Sequence, residues 1–267
     1  RRVLFRSQQT IVDVFGASIA INGRFEPEVR DDGLAAVGAA RAGFSEAGLQ
    51  RYDDLARGIA KQVVDESHRE ALIPCRPQTQ NKPDDSCSRT FLSTTGRLLY
   101  RRPLSAQEIQ NLVAVAHAST DTLHDFYAGM AVAIRDMLIS PEFLFRYKTL
   151  EPDPSNPGKL RMDAFSKASA LSYFLWNSTP DDMLLKAAES GELQTKEGLR
   201  KQVDRMVSSP AVEYGARALF YDMLGFSQFE VLSKDPSFFP RFTARVKEDA
   251  QEQTLRTLVD HLITDRK

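Results

Sequence analysis

The sequence predicts an all-α protein, an irregular multi-helix bundle of about ten to twelve helices without a substantial sheet. Apolar residues recur at spacings of three and four along most of the chain, which places them on one face of successive helices. Strict alternation of apolar and polar residues, the pattern typical of strands, is scarce. Several segments also open with residues that favour the first turn of a helix.

The composition is typical of a folded protein, with 42% apolar and 27% charged residues in a chain of 267. The 35 basic and 36 acidic residues nearly cancel, so no bulk field attracts nucleic acid and no nucleic-acid partner is expected. The longest mainly apolar stretch, Phe126–Ile139, contains Arg135 and Asp136 and is too short to cross a bilayer. The sequence therefore predicts no membrane span in this chain.

Helical segments fill the first half of the chain. The polar stretch Pro74–Ser86 separates the first of them from helices that begin near Cys87. "SAQE", at Ser105–Glu108, has the pattern of a capping box. "HASTDTLH" could place His117 and His124 on one helix face, but we favour a turn, in which "STD" caps the next helix. In Phe126–Ile139, one helical face carries Phe126, Met130, Ile134, Met137 and Leu138.

The second half begins with a break, because Glu151–Leu160 holds three prolines and a glycine and is incompatible with a helix. Helices follow, and the last of them is expected from about Thr243. A serine or threonine directly precedes a proline at three positions, and each pair predicts an N-cap followed by proline at the first helical position. These pairs are Ser140-Pro141, Thr179-Pro180 and Ser209-Pro210.

Cys75 and Cys87 flank a polar, proline-rich loop, and the residues alone leave two interpretations open. A disulfide would close the loop and contribute about 3 kcal/mol in an oxidising compartment. In a reducing cytoplasm the same residues would be two unrelated thiols. Two cysteines and His68 lack a fourth zinc ligand, so no metal site is expected.

"SYFLWNSTPDD" contains the candidate ligand surface. Tyr173, Phe174 and Trp176 could line a ligand or sugar-binding surface, although aromatic side chains near a helix end more often cap a core. Asp181 and Asp182 lie in the predicted first turn of the next helix, where carboxylates complement the helix dipole.

Glu248 and Glu252 lie one turn apart on the last predicted helix. Paired carboxylates could perform acid/base chemistry or bind a metal. With Arg245 and Arg256 nearby, we favour a solvated helix face. No residue of the sequence is assigned a catalytic role.

Several motifs resemble one family. "QQTIVDVFG" resembles the opening of its first module, "CSRTFLSTTGRLLYRRPLSAQEI" its second, and "SYFLWNSTPDDMLLKAAESGEL" and "FFPRF" its third. The family comprises large exported bacterial proteins with serial domains of unknown function 1587, 1595 and 1592. The resemblance divides the chain into a first module at 8–72, a second at 73–150 and a third, C-terminally truncated module at 151–267.

The resemblance implies export to the periplasm, the extracellular space or the cell surface. In such a compartment a disulfide between Cys75 and Cys87 is expected. It also implies further modules, often a planctomycete-type cytochrome c or a carbohydrate-binding module. No cofactor is expected in this chain, and any haem would belong to another module or a neighbouring protein.

Three functional hypotheses follow from these observations. The leading one is a helical scaffold or interaction region of an exported, redox-associated multidomain protein. The second is an extracellular enzyme acting on polysaccharide, suggested by the aromatic stretch and by Asp181, Asp182, Glu248 and Glu252. The third is a purely structural cell-surface protein, which would show no concave pocket.

The opening residues "RRVLFRS" precede every feature of the resemblance. They can be translated back into AGA CGT GTG CTC TTC CGA TCT, which resembles the end of a common short-read sequencing adapter. We therefore expect residues 1–7 to be a non-native, adapter-derived segment and the chain to be a fragment. A genomic clone that spans the junction would refute this expectation.

Overall fold

The computed structural model describes residues 2–23, 45–230, 232–235 and 237–264. Within these ranges the chain forms twelve α-helices and one two-stranded sheet, which confirms the predicted all-α architecture. Residues 24–44 of the first predicted module and residues 265–267 of the third lie outside the described residues. The first seven helices are α1 (Arg2–Phe15), α2 (Glu46–Val63), α3 (Arg69–Leu72), α4 (Asp85–Leu99), α5 (Ala106–Leu123), α6 (Phe126–Ile139) and α7 (Pro141–Leu144).

The remaining helices follow a short β-hairpin. Strand β1 (Leu150–Pro152) pairs antiparallel with β2 (Leu160–Met162), with Leu150 opposite Met162. The predicted break at Glu151–Leu160 is therefore confirmed as non-helical, and its prolines and glycine lie in or beside the hairpin turn. The later helices are α8 (Ala164–Leu175), α9 (Asp182–Glu189), α10 (Lys196–Val207), α11 (Val212–Met223) and α12 (Ala244–Val259).

Three shorter helical turns complete the described backbone. Two are 3₁₀ turns, at Glu192–Gln194 and Phe226–Glu230, and a π-helical turn at Asp260–Thr264 follows α12. The backbone of residues 2–7, the predicted adapter-derived segment, forms the first part of α1.

The larger core is built around α6, which packs against α2 and α5. The predicted apolar face of α6 is confirmed, because Phe126, Met130, Ile134, Met137 and Leu138 are all fully buried. The same core takes in apolar residues of α1, α2, α4, α5 and α7. Residues of the first two predicted modules thus pack together, while the module boundaries themselves stay predictions.

A smaller core lies within the third predicted module. It contains Trp176 and residues of α8, α9 and α10, together with Leu193 from the 3₁₀ turn before α10. Two hydroxyl groups of the segment between α8 and α9 attach this part to the larger one. Ser178 donates to the Asp13 carboxylate in α1, and Thr179 Oγ1 donates to the Leu98 carbonyl oxygen at 2.7 Å.

The predicted helix caps are confirmed at two positions. Ser105 and Glu108 form the capping box of α5, in which each side chain accepts the backbone N–H of the other. Ser140 caps α7, whose first residue is Pro141. Both motifs act within one turn of the chain, so the local sequence is sufficient to specify them.

Two predicted caps are wrong. Asp181, not Thr179, caps α9, and its carboxylate accepts the Leu184 N–H at 2.8 Å. The Thr179 hydroxyl instead donates to the Leu98 carbonyl oxygen in α4. Ser209 accepts the Ala211 N–H in a turn that precedes α11, and Ala211, the N-cap residue, has no side-chain capping bond.

The turn predicted within His117–His124 is also wrong. α5 continues through this stretch to Leu123, and Asp125 rather than "STD" caps α6. His124 ends α5 with a left-handed backbone at φ 54°. His117 lies within the helix, where its Nδ1 is 2.8 Å from the Asp85 carboxylate of α4.

The Cys75 and Cys87 sulfurs are bonded at 2.04 Å, with the Cα atoms 5.5 Å apart. The structure thus contains the disulfide that the resemblance implies. It joins the segment before α4 to the first turn of α4. Within the closed loop, the Gln80 carbonyl oxygen accepts the Phe126 N–H at 2.7 Å, so the loop also contacts the start of α6.

In the described ranges, no helix combines sufficient length with sufficient apolar character to cross a bilayer.

Candidate functional site

The five residues of the predicted ligand surface do not lie together. Tyr173 and Phe174 are consecutive in α8, yet Tyr173 is buried while Phe174 is 77% exposed. The Arg146 guanidinium lies over the Tyr173 ring, 4.8 Å from its centroid. Both aromatic residues line a cavity between α8 and α11.

Trp176 instead lies in the smaller core, and Asp181 lies at the edge of that core. The Trp176 indole N–H donates to the Met206 carbonyl oxygen at 2.9 Å, which satisfies its polar atom inside the core. Arg205 in α10 lies over the Trp176 ring and binds both Asp181 oxygens, at 2.7 and 3.0 Å. This group therefore fastens α10 to the start of α9.

Asp182 lies on a third surface, against α4. The Arg97 guanidinium donates to Asp182 at 2.7 Å and to Glu189 at 2.8 Å, which joins both ends of α9 to α4. Lys186 also pairs with Asp182, at 2.7 Å. Hydrogen bonds from Lys186 and then Arg97 lower the pKa of the Asp182 carboxyl.

Glu252 is likewise held by arginines, whereas Glu248 is exposed on the same helix. Arg217 in α11 donates to both Glu252 oxygens, at 2.9 and 3.1 Å, and Arg256 donates at 2.6 Å. The hydrogen bonds from Arg217 and then Arg256 lower the pKa of Glu252. The pair connects α11 with α12.

A concave feature in the described part of the chain has a volume of about 310 Å³. We call it the α8–α11 cavity. Its walls are α8, α11, the residue Asn177 and the segment between α7 and β1. The lining residues are Arg146, Tyr147, Lys148, Ser166, Ser169, Ala170, Tyr173, Phe174, Asn177, Gly215, Ala218 and Leu219.

The segment Arg146–Lys148 is fixed at both ends. On one side, the buried Arg101 guanidinium donates to the Phe145 carbonyl oxygen at 2.9 Å. On the other, the Thr149 N–H donates to Ser166 Oγ at 2.9 Å, and the Thr149 carbonyl oxygen accepts from the Asp163 N–H at 3.0 Å. The exposed side chains of the segment are therefore presented to the cavity from a constrained backbone.

The opposite wall depends on a close helix contact. Gly215 in α11 lies against the carbonyl oxygen of Leu175, at the end of α8, and a Cβ at Gly215 would overlap that oxygen. A glycine at this position allows the two backbones to approach. This contact sets the width of the cavity on the α11 side.

A smaller recess of about 100 Å³ adjoins the cavity and shares Arg146, Tyr147, Ser166 and Ser169 with it. Its far side carries an ion-pair group. Arg102 binds both oxygens of Glu108, at 2.9 and 2.8 Å, and one oxygen of Glu142 at 2.9 Å. The Arg102 hydrogen bonds lower the pKa of Glu108 to about 2.

The ion pairs of Arg102 with Glu108 and Glu142 predict that the stability of the fold depends on pH. Because the pKa of Glu108 is depressed in the folded state, its contribution is complete above its unfolded pKa of about 4.3 and is lost as the pH falls toward 2. Glu108→Gln keeps a capping-box side chain but removes the charge. We expect it to lower the free energy of unfolding at pH 7 by about 2 kcal/mol, after allowance for solvent screening.

Urea denaturation of both proteins at pH 7, 4 and 2 would measure this difference. The gap should close at the lowest pH. Glu197→Gln, at an exposed residue of α10, is the matched control and should change little at any pH. An equal loss for Glu108→Gln at pH 7 and pH 2 would show that the ion pair is not its cause.

The sequence-based hypothesis missed most of the cavity. Arg146, Tyr147 and Lys148 follow a four-residue helix and precede the hairpin, where no helical periodicity applies. The signal available was an aromatic residue between two cations in a non-helical stretch. Ser166, Ser169 and Asn177 carry no distinguishing pattern in the sequence.

Potential metal ligands were also compared by position. Across the part of the chain that the structure describes, no group of three or more His, Cys, Asp or Glu residues is placed to hold a metal ion.

The fold and the disulfide define a mostly helical, disulfide-containing protein with a cavity between two helices of its third predicted module. Residues 87–147 match the family described as Protein of unknown function (DUF1595), and residues 162–267 match Protein of unknown function (DUF1592). Two of the three resemblances seen in the sequence are thus confirmed, and the one to DUF1587 stays a prediction. No curated protein and no solved structure matched the chain.

Proposed function

We propose that this chain is a helical scaffold or interaction region of an exported, redox-associated multidomain protein. One observation carries the scaffold role. Three of the carboxylates that the sequence suggested as reactive groups each form an ion pair with an arginine on a different helix. Asp181 is bound by Arg205, Asp182 by Arg97 and Glu252 by Arg217.

The chemistry of these pairs supports a fastening role. Arginine presents a planar fork of donors that matches a carboxylate, and two of the three pairs are bound through both oxygens. The lowered pKa values of Asp182 and Glu252 keep these carboxylates ionised at neutral pH. A general acid needs the opposite shift, toward the operating pH.

The disulfide supports the export part of the proposal, because such bonds persist mainly in oxidising compartments. The periplasm, the extracellular space and the cell surface all satisfy this condition. The haem partner is supported by the family resemblance alone. It would lie in another module of the same protein or in a neighbouring one.

The complete gene and its neighbours provide the first test. We expect an export signal and a module with a CxxCH haem-attachment motif in the same gene or beside it. The encoded haem protein should then co-elute with this chain in size-exclusion chromatography, followed by haem absorbance. A complete gene without an export signal, or a haem protein that elutes alone, would contradict the corresponding part of the proposal.

The second candidate is an extracellular enzyme acting on polysaccharide, favoured by the exposed Phe174 beside a cavity. The test is release of reducing ends from a panel of polysaccharides. Release that is abolished in Asp181→Asn or Glu252→Gln, but not in Glu248→Gln, would favour the enzyme over the scaffold. The third hypothesis, a purely structural surface protein, anticipated no concave pocket, and the α8–α11 cavity counts against it.

A further inference from the structure

The α8–α11 cavity has a distinctive balance of charge. Arg146 and Lys148 line it, and no acidic residue is among the described lining residues. Two acids line the adjoining recess: Glu142 pairs with Arg102 at 2.9 Å, and Asp163 accepts the Ser166 N–H at 2.6 Å. The described lining of the cavity itself therefore carries two cations and no carboxylate.

The two cations are arranged differently. Arg146 is held over the Tyr173 ring by a cation–π contact, which restricts where its guanidinium can lie. Lys148 is exposed and makes no ion pair or hydrogen bond with its side chain in the described ranges. An anion at the mouth of the cavity would thus meet one oriented donor and one that can move toward it.

Two serine hydroxyls point to the same place. Ser169 is only 9% exposed and lines both the cavity and the recess, yet its hydroxyl has no hydrogen-bond partner among the residues that the structure describes. Ser166 lies one turn away, and its Oγ accepts the Thr149 N–H, which leaves its own hydrogen free to donate. Both hydroxyls can therefore hydrogen-bond to a polar ligand in the cavity.

Aromatic surface completes the arrangement. Phe174 is 77% and Tyr147 is 57% exposed beside the same cavity. Large exposed aromatic faces offer contact area for the C–H surface of a sugar ring, and hydroxyl groups around them bind the ring hydroxyls. A volume of about 310 Å³ is at the lower end of ligand cavities, which suits a single ring rather than a long chain.

From these features we infer that the α8–α11 cavity binds a uronate, a sugar ring that bears a carboxylate. Arg146 and Lys148 pair with the carboxylate, Phe174 and Tyr147 contact the ring, and Ser166 and Ser169 bind its hydroxyls. This is a binding site, and it assigns no reaction to these residues. It does not rest on the scaffold role or on a haem partner.

The test uses galacturonate as the probe, with galactose and acetate as matched controls for the ring and for the carboxylate. Binding is followed by chemical-shift changes of backbone amides in ¹⁵N-labelled protein. We expect galacturonate to shift amides of residues 146–149 and 166–174, and to bind at least tenfold more tightly than either control. Added salt should weaken the binding, because an exposed cation contributes to it.

Two variants test separately the binding of the carboxylate and the binding of the sugar ring. Lys148→Gln should weaken galacturonate binding about fivefold through loss of a charge, and Phe174→Ala about fivefold through loss of ring contact. Lys61→Gln in α2 and Phe238→Ala, with a 78% exposed side chain, are the matched controls and should bind as the parent protein does. All four positions are exposed, so the variants should fold.

Three outcomes would overturn the inference. If galactose binds as tightly as galacturonate, the cations have no role in binding. If acetate binds as tightly as galacturonate, the cavity is a simple anion site. Unchanged affinity in both Lys148→Gln and Phe174→Ala would place any binding elsewhere on the protein.

Discussion

Arg101→Ala is expected to lower the free energy of unfolding by about 4 kcal/mol, which is at the upper end of the effects of single substitutions. The Arg101 side chain is only 5% exposed, and its guanidinium donates to four backbone carbonyls. These are Leu99 at 3.0 Å, Phe143 at 3.2 Å, Phe145 at 2.9 Å, and Glu142. Removing the side chain leaves these acceptors without their charged donor in a buried place.

Urea denaturation followed by circular dichroism would measure this loss. Arg101 has a left-handed backbone at φ 60°, which costs arginine and alanine alike about 1 kcal/mol, so Arg101→Ala leaves this cost unchanged. Arg101→Gly loses the same hydrogen bonds but relieves that cost, so it should be less destabilising than Arg101→Ala, and the alanine variant measures the contribution of the side chain. Arg76→Ala, at an exposed arginine, is the control and should change stability by less than about 0.5 kcal/mol.

The Arg101→Ala variant also tests how the segment that lines the cavity is held. Arg101 binds the carbonyl of Phe145, immediately before the segment that carries Arg146 and Lys148. Loss of this bond should increase amide hydrogen exchange in residues 145–148. A stability loss below about 1 kcal/mol with unchanged exchange would show that the guanidinium does not hold the segment.

Replacing Cys75 and Cys87 together by serine is expected to lower the free energy of unfolding by about 3 kcal/mol. The bond closes a loop between residues 12 apart in sequence, and without it the unfolded chain gains the entropy of that loop. Loosening of the loop should also expose the Phe126 amide, whose hydrogen bond to Gln80 starts α6. Faster exchange of that amide would report the local effect.

The measurement compares denaturation of the parent protein, with and without reductant, and of the double variant. Reductant should shift the parent to the midpoint of the variant and leave the variant unchanged. Equal midpoints for all three samples would mean that the bond adds nothing to stability in this fold.

The sequence predicted the helical class because its signals act over one or two turns. The apolar face of α6 and the capping box of Ser105 and Glu108 depend on residues at most a few positions apart. The same reasoning failed at Thr179, whose hydroxyl donates to a carbonyl oxygen in a distant helix while Asp181 caps α9. It also failed at His117–His124, where packing of α5 against α6 extends a helix through residues that favour turns.

The candidate surface was predicted only in part. Sequence proximity placed Tyr173, Phe174 and Trp176 together, yet neighbouring residues of a helix point about 100° apart. Phe174 therefore faces solvent while Tyr173 is buried beneath Arg146. Nothing in the local pattern indicated that Asp181 would meet Arg205, or that Arg146 and Lys148 would face α8.

By itself, the sequence determined the helices, the break before α8, the lack of a strong bulk charge and the resemblance to two domains of unknown function. All of these depend on composition or on residues close together in the chain. Only the tertiary structure decided which arginine holds which acid and where a cavity opens. The α8–α11 cavity requires Arg101 to hold Phe145, 44 residues away, and α11 to approach α8 at Gly215. Such contacts form because burial and hydrogen bonding bring distant segments together, and no local periodicity encodes them.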